Sequence, residues 1–398
     1  MSLQLRAARR EDLPAVYDFL ESAFPEAGRE VFVAQTESDS TFRFRHARLA
    51  VLDGRIAGYV RIFARQMRVR GVPLPAGGIG SVATVPDARH AGIASTLMRD
   101  AIEQMRRNGI AVSFLFTGIP GFYERLGYRI VREPFLTADA AEAAALAAPS
   151  LYNVRPATDA DLPSLVALYR TRIVGTTGAV CRTRRQWRDA RLWSREAPGS
   201  AFVAELHDHV VAYSRTRCRT SGHEIMELEH RPGCADAVPP LVAAAGRIAL
   251  AHDEPLVAPV PDGHQLAVTL ATLPSTRATT DVRYPMMMRI VSLDATLRAL
   301  QPWLSMCAAG HPGPPFRARL HTIDESAVID VRSRTVALRA NNAAAGDADL
   351  SPAATLNALL GQRSPSRSAR PRPAAPLGKR FDALFPAASL HFWNSDRL

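Results

Sequence analysis

Gly92 lies between a β-type run and an amphipathic run, at a junction where a polypeptide chain can bind an anion. Val82 and Val85 favour a strand, and Pro86 with Asp87 ends it. Apolar residues then recur at the spacing of a helix that begins near Ala91 or Gly92, namely Ile93, Leu97, Ala101 and Ile102. The first N–H groups of a helix lack intrahelical partners, and a glycine there lets a ligand approach the backbone closely. The junction therefore predicts a site that could hold a pyrophosphate.

A second segment that could carry chemistry is Gly-Phe-Tyr-Glu-Arg-Leu-Gly-Tyr at residues 121–128. Residues 89–94, Arg-His-Ala-Gly-Ile-Ala, resemble the Arg/Gln-x-x-Gly-x-Gly/Ala loop of GCN5-related N-acetyltransferases (GNAT). Residues 121–128 resemble the Phe-Tyr-x-Arg-x-Gly-Phe/Tyr segment of the same family. A lone Gly turn is more often a packing feature, but two motifs in the family's order and at its separation make the resemblance specific.

The resemblance implies a GNAT fold, acetyl-CoA as acetyl donor and no metal. It assigns cofactor binding to Val82, Ala83, Thr84, Arg89, His90, Ala91, Gly92, Ile93, Ala94, Ser95, Gly118 and Ile119. Acetyl transfer to an amine needs a base for the ammonium, donors for the oxyanion and an acid for the leaving thiolate. An isolated Tyr is usually a core residue with a bonded hydroxyl. Tyr123 instead matches the family's proton donor, so the resemblance implies that it is the catalytic acid.

The elements around these motifs follow the same fold. A strand at residues 5–8 precedes an amphipathic helix with Leu13, Val16, Tyr17 and Leu20 on one face. Residues 47–63 predict a hairpin that turns at Asp53-Gly54. Residues 112–117 predict a buried strand that leads to Tyr123. The first domain is therefore placed at residues 1–137.

The composition bounds the class of protein. A chain of 398 residues that is 47% hydrophobic has material for more than one core. No apolar run approaches membrane-spanning length and the first residues lack a signal-peptide core, so we expect a soluble cytoplasmic protein with no membrane partner. The four cysteines show no metal-ligand spacing, which argues against a zinc site. The net charge of +11 is spread over arginines in every element, which favours solvated faces over a nucleic-acid surface.

Residues 154–163 repeat the opening of the chain. Arg6, Ala8, Asp12, Leu13 and Pro14 recur at one interval as Arg155, Ala157, Asp161, Leu162 and Pro163. A second hairpin follows at residues 201–215. Where the phosphate loop should stand, residues 226–236 lack the Gly spacing, and Glu227 and Glu229 would repel a pyrophosphate. Residues 138–287 are therefore interpreted as a second acetyltransferase-like domain without cofactor.

The remaining residues, 288–398, predict a small α+β domain that resembles a sterol-carrier domain. Residues 317–322 and 327–339 favour strands that turn near Ser333. Ser351-Pro352 and Gly361 mark the start and end of a helix. The Arg/Ser/Pro-rich residues 363–376 predict a loop. The fold class expected for the chain is thus mixed α/β, with two GNAT-like domains and one sterol-carrier-like domain.

This domain order resembles the enhanced intracellular survival (Eis) family of N-acetyltransferases. The resemblance implies a homohexamer, a small-molecule amine as acceptor, such as an aminoglycoside, a polyamine or a lysine-like amine, and the C-terminal carboxylate as catalytic base. Leu398 would supply that carboxylate, whereas chain ends are ordinarily frayed. Arg397 could pair with it and lower its basicity.

Two other functions stay open at this point, a carrier or sensor and an arginine-rich nucleic-acid binder, and the latter would need a contiguous basic face. The third domain could make the protein a non-catalytic carrier or sensor that binds an apolar ligand, with acetyl-CoA as regulator. An intact Tyr123 and phosphate loop favour the enzyme.

The acceptor pocket could be lined by the acidic residues Asp18, Glu21, Glu26, Glu30 and Asp396, although such carboxylates are usually only solvated.

Overall fold

The computed structural model describes residues 2–132, 135–146, 151–189, 200–219, 222–261, 263–279, 284–339 and 346–397. By contacts the chain groups into two compact units, Met1–Val131 with Tyr284–Ala388 and Arg132–Arg283 with Ser389–Arg397. Three sheets with helices packed on them confirm the mixed α/β fold class. The division at residues 137 and 287 into three domains stays a prediction.

Eighteen strands are described, and their bounds are β1 Leu3–Ala7, β2 Ala47–Leu52, β3 Arg55–Val69, β4 Val72–Thr84, β5 Val112–Phe116, β6 Arg129–Ile130, β7 Phe135–Ala138, β8 Asn153–Pro156, β9 Ala201–Leu206, β10 His209–Arg219, β11 Gly222–His230, β12 Leu256–Pro259, β13 Arg277–Thr279, β14 Met286–Ile290, β15 Phe316–His321, β16 Ser326–Val331, β17 Val336–Arg339 and β18 Ala348–Leu350.

The described α-helices are α1 Leu13–Ala23, α2 Arg29–Glu37, α3 Ile93–Arg107, α4 Pro120–Glu124, α5 Ala140–Ala144, α6 Leu162–Arg172, α7 Arg184–Asp189, α8 Val238–Ala251, α9 Gln265–Leu270, α10 Leu293–Gly310, α11 Pro352–Leu360, α12 Pro365–Ser368 and α13 Ala375–Leu384. Across the stretches described, no helix is both long and apolar enough to cross a membrane.

The first unit is built on a seven-stranded sheet in the order β1-β2-β3-β4-β5-β14-β6. The hairpin β2–β3 turns at Asp53 and Gly54, whose φ angles of +47° and +83° suit the predicted Asp-Gly turn. Helix α3 buries Ile93, Leu97, Met98, Ala101, Ile102 and Met105 against this sheet, as their helical spacing requires. This packing fixes the start of α3 relative to the end of β4.

The same unit contains a four-stranded sheet in the order β17-β16-β15-β18. Ser351 caps α11 by accepting from Ala354 N–H, and Gly361 ends it at φ +77°, in agreement with the sequence. The predicted loop at residues 363–376 is wrong in part, because Pro365–Ser368 forms the short helix α12. Arg70, in the β3–β4 turn, donates to the carbonyls of Leu359 and Ala358 at 2.8 and 2.7 Å. These bonds satisfy the Leu359 carbonyl, give the Ala358 carbonyl a second donor besides the Gly361 N–H, and fasten the small sheet's helix to the large sheet.

The second unit has its own seven-stranded sheet in the order β13-β7-β12-β11-β10-β9-β8. Read from β8, this order repeats that of the first sheet, and both sheets place one parallel pair at the same point, β4–β5 and β11–β12. One difference lies in the strand beyond each parallel pair. Strand β14, from late in the chain, pairs with β5, whereas β7, from early in the chain, pairs with β12.

Candidate active site

The end of β4 forms one wall of the site. Its antiparallel pairing with β3 continues to Thr84, but its parallel pairing with β5 runs from Ala76 to Ile79. Between these two limits the β3 register shifts, so that Tyr59 faces Ala83 and Arg61 faces Gly80. Ser81 within this bulge has φ +52°. A bulge increases local twist and turns a strand from its neighbour, which gives residues 82–84 a backbone edge that can pair with a ligand.

Residues 82–84 are half-buried, and the side-chain oxygen of Thr84 is buried without a hydrogen-bond partner among the described residues. A buried hydroxyl without a partner costs free energy unless a bound group satisfies it. An extended ligand with amide groups, such as pantetheine, would pair with the β4 edge and lie next to this hydroxyl. The residues present thus fit the cofactor arm that the sequence assigned to Val82, Ala83 and Thr84.

The turn between β4 and α3 is exposed, and the positive end of the α3 dipole lies there. His90 and Gly92 have left-handed φ angles of +67° and +77°, and residues 89–92 are exposed. A Cβ at Gly92 would meet nothing within 4 Å, so the space above the start of α3 is free of described protein atoms. The first N–H groups of this 15-residue helix point into that space together with the positive end of its dipole. The turn, which continues into Ile93, Ala94 and Ser95, can hold a pyrophosphate.

Tyr123 lies on the one-turn helix α4 and is 7% exposed. Its ring contacts Phe122 and Tyr128 edge-on, at centroid distances of 4.8 and 6.0 Å. Burial, with a smaller effect of Tyr128, raises the pKa of Tyr123 well above its usual 10.0. None of the described groups hydrogen-bonds the Tyr123 hydroxyl. The phenol therefore stays protonated at neutral pH and has its proton available for a ligand.

Tyr128 holds Tyr123 in place through hydrogen bonds, and its own hydroxyl is already bonded. Its hydroxyl hydrogen-bonds Ser113 Oγ at 2.8 Å, and Ser113 donates to the Gly77 carbonyl at 2.7 Å. Its backbone N–H donates to the Tyr123 carbonyl at 3.1 Å. Tyr128 thus ties the Tyr123 turn to β5 and β4. Ser113 was not predicted from the sequence, because a Ser inside an apolar strand does not indicate which group it bonds to.

Tyr123 packs in one apolar cluster with Ile93 and Leu97 of α3, and Val82 of β4 and Phe122 pack on that cluster. The two motifs are therefore brought together around a shared core. Gly118 and Ile119 lie on the exposed connection between β5 and α4, where Ile119 is 64% exposed and its N–H donates to Thr117 Oγ1 at 3.0 Å. An exposed apolar side chain beside Tyr123 suits a wall that a ligand covers.

The corresponding part of the second sheet is closed by side chains. Strand β11 also has a register shift, which leaves Glu227 opposite Arg215 and Glu224 opposite Arg217. Since Tyr213 pairs with Glu229, these three glutamates oppose alternate residues of β10 and share one face of the sheet. All three are buried. Glu227 and Glu229 are fully buried and lie in the segment that has no Gly spacing of a phosphate loop.

Residues 390–397 bind to this acidic face. Glu224, Glu227 and Glu229 accept hydrogen bonds from Asn394, Ser395 and Trp393 respectively, the last at 2.9 Å. His391 Nε2 also lies 2.9 Å from Glu229. We call residues 390–397 the C-terminal segment. Its residues, Leu-His-Phe-Trp-Asn-Ser-Asp-Arg, include three large apolar side chains, but nothing in the sequence indicates which groups they contact.

Arg182 neutralises the centre of this cluster. Its NH2 group lies 2.6 Å from Glu227 and 2.7 Å from Asp396, and its side chain is 4% exposed. Burial alone would raise the pKa of Glu227, but the charge and hydrogen bonds of Arg182 hold it below its usual value. Asp396, a candidate for the amine pocket, is therefore committed to Arg182. Leu398, the candidate base, lies outside the described residues.

Comparison with known proteins gives a domain match for the first part of the chain and a likeness in fold for the whole chain. Residues 4–131 match the family model of the acetyltransferase (GNAT) domain. Comparison with curated proteins gives no significant match. The chain is similar in fold to a GCN5-related N-acetyltransferase from Anabaena variabilis, with a TM-score of 0.74, 14% identity and 100% of both chains covered. A second such protein, from Kribbella flavida, has a TM-score of 0.72 at 16% identity and covers 98% of this chain and 100% of its own.

Eis1 from Mycobacterium abscessus is also similar in fold, with a TM-score of 0.67, 17% identity and 100% of both chains covered. The likeness at these identities concerns the fold of the whole chain, while the family model concerns its first part. The splayed β4 and the open turn before α3 both lie in residues 4–131, the part of the chain that is an acetyltransferase (GNAT) domain.

Proposed function

We propose that the protein transfers an acetyl group from acetyl-CoA to an amine of a cationic small molecule. GNAT enzymes use acetyl-CoA, and here the thioester would supply both the acetyl group and a leaving thiolate. The observation that carries the proposal is the continuous site formed by the free edge of residues 82–84 and the open turn at Gly92. The edge would pair with pantetheine and the turn would bind pyrophosphate, assisted by the exposed Arg89.

Tyr123 acts as the general acid in this proposal. The amine nitrogen forms a bond with the acetyl carbon while the carbon–sulfur bond breaks, and the Tyr123 hydroxyl gives its proton to the departing sulfur. The position of the ring supports this role, because Tyr123 packs in one cluster with Ile93 of α3, and Val82 of β4 packs on the same cluster. The exposed Gly118 and Ile119 would line the approach of the thioester.

The base is the α-carboxylate of Leu398, which would accept a proton from the attacking ammonium. The support is that the segment before Leu398 is ordered, because Trp393, Ser395 and Asp396 bond to buried partners. Among the internal alternatives, Asp396 pairs with Arg182 and Asp18 pairs with Arg29.

The acceptor class and assembly follow from the Eis resemblance of the sequence and from the full-length likeness in fold to Eis1. We propose an aminoglycoside, a polyamine or a lysine-like amine as acceptor, and a homohexamer in the cytoplasm as the working form. Sedimentation of the purified protein at equilibrium measures the mass of the assembly. A monomer that is fully active would contradict the hexamer alone and leave the chemistry unaffected.

The variant Tyr123→Phe tests the chemistry. It removes one hydroxyl that no described group binds, so acetyl-CoA affinity and fold should persist while kcat falls by about 10²–10⁴. The matched control is Tyr128→Phe, which loses the hydrogen bond to Ser113. That control should lose about 0.5–1.5 kcal/mol of stability and keep a kcat near the parent's. Released thiol, measured with a panel of amines, gives both rates, and an unchanged kcat for Tyr123→Phe would reduce Tyr123 to a packing residue.

A further inference from the structure

A second cluster of chemically active side chains lies in the second unit, at the far end of the β10–β11 hairpin. Cys218 and His223 are directly opposite each other on the two strands. Glu254 belongs to the connection between α8 and β12, and this connection is fastened to the hairpin by the bond from His223 N–H to the Pro255 carbonyl at 2.9 Å. A Cβ at Gly222 would approach that carbonyl to 2.5 Å, so the two backbones are in close contact.

His223 is the unusual member of this cluster. It is only 4% exposed, yet neither of its ring nitrogens has a hydrogen-bond partner among the described residues. A buried imidazole without partners loses its bonds to water and gains none in return. A neutral imidazole has one unprotonated nitrogen, which can bind a metal ion and so gain a partner.

The three side chains have the geometry of a metal site. One ligand atom from each of Cys218, His223 and Glu254 lies within 4.8 Å of the others. Cys218 Sγ lies 3.1 and 3.2 Å from the two carboxylate oxygens of Glu254. Ligand atoms bonded to one tetrahedral zinc ion, at about 2.0–2.3 Å each, are roughly 3.5 Å apart. Small side-chain rotations would therefore bring all three atoms onto one ion.

We propose that Cys218, His223 and Glu254 bind a Zn²⁺ ion, with water in the fourth position. Sulfur, imidazole nitrogen and carboxylate oxygen are the ligands that zinc takes in proteins, and a thiolate disfavours Mg²⁺ and Ca²⁺. On binding, the Cys218 S–H bond breaks, sulfur bonds to zinc and the proton passes to solvent. Water has access, because Cys218 is exposed and Glu254 borders a surface cavity of about 410 Å³.

The role of the ion is to join the hairpin end to the α8–β12 connection. Without it, these elements are held by the His223–Pro255 backbone bond and by the short parallel pairing at His223 and Glu224. The sequence predicted no zinc site because the ligands do not follow a compact Cys/His motif. Two of them become neighbours through strand pairing, and the third comes from a different connection.

The experiment titrates the metal-free full chain with Zn²⁺ against a chromophoric chelator, and separately with Co²⁺ as a spectroscopic probe. We expect one Zn²⁺ per chain, a raised Tm and a thiolate-to-cobalt charge-transfer absorption. Cys218→Ser and Glu254→Gln alter accessible atoms and should fold normally. Each should weaken zinc binding by at least the ~10–100-fold that loss of even an outer partner causes, and Cys218→Ser should abolish the cobalt–thiolate absorption.

The matched control is Cys307→Ser, which removes a half-buried thiol in the other unit. It should leave zinc affinity and the cobalt spectrum unchanged. If Zn²⁺ binds Cys218→Ser and Glu254→Gln as tightly as the parent, or if binding is lost in Cys307→Ser instead, the site is wrong. A parent protein that shows no cobalt–thiolate absorption overturns the proposal as well.

Discussion

The β4–α3 junction of the first sheet and the β11–α8 junction of the second have the same position in the same strand order but opposite chemistry. Both strands carry a bulge before the junction. After β4 the chain forms an exposed turn, with open space at Gly92. After β11 the chain also has an exposed turn, with open space at Gly233, but α8 then begins with Val238, Pro239 and Pro240, and the two prolines have no N–H group to offer an anion.

The difference shows how one fold can either keep or lose a ligand site. An anion site needs free N–H groups and space, which the Gly92 turn supplies. In the second sheet three buried glutamates face the equivalent edge, and the C-terminal segment satisfies them. The second sheet thus binds a part of its own chain.

The largest effect is expected at the chain end. Adding a few residues after Leu398, or amidating it, removes or moves the terminal carboxylate but leaves residues 390–397 and their partners intact. We expect kcat to fall by about 10²–10⁴, as for loss of a general base, with little change in stability. Full activity of the extended protein would contradict a catalytic role for Leu398. The second sheet would then only anchor the C-terminal segment.

Arg182→Met tests what stabilises the acidic face of the second sheet, which is formed by Glu224, Glu227 and Glu229. It leaves Asp396 buried without Arg182, and Glu227 with only the more distant Arg215 at 3.9 Å, and breaking a buried ion pair in this way costs about 3–5 kcal/mol. Urea unfolding measures the loss. The matched control is Arg298→Met, whose pair with Asp294 is exposed, so its removal should change stability little. Equal, small losses for both variants would mean that the C-terminal segment is not held by this cluster.

The pH dependence of stability gives a smaller effect. Burial alone would raise the pKa of Glu229, but hydrogen bonds from His264 and His391 depress it below its usual 4.5. A depressed pKa stabilises the fold fully above the unfolded value, and this contribution is lost as the pH falls below 4.5 toward the folded value. Urea unfolding between about pH 3 and 7 should show a steeper acid loss for the parent than for Glu229→Gln. Identical slopes would contradict the role of Glu229.

Much of the first sheet could be predicted from sequence because its signals are local. The Asp53-Gly54 turn, the apolar face of α3 and the Tyr123 motif each lie within a few residues. The α11 helix was equally readable from Ser351 and Gly361. These patterns specify φ angles and faces directly, so tertiary context did not override them.

The acidic face of the second sheet could not be predicted from the sequence in the same way. Glu224, Glu227 and Glu229 share a face only because of the bulge in β11, and a bulge at Met-Glu leaves no mark in sequence. Their partners come from residues 391–396, far along the chain. Likewise, Met286–Ile290 is a short apolar run that could pair with any strand, and nothing local assigns it to β5. Long-range pairing determines these features.

The most direct test of the division between the two sheets is the calorimetric stoichiometry of acetyl-CoA binding to the parent, Gly92→Glu and Gly109→Glu. Both glycines have positive φ and open space around a Cβ, and they flank opposite ends of α3. We predict one acetyl-CoA per chain for the parent and Gly109→Glu, and no binding for Gly92→Glu, whose carboxylate would occupy the pyrophosphate position. Two molecules per chain, or undiminished binding by Gly92→Glu, would contradict the account.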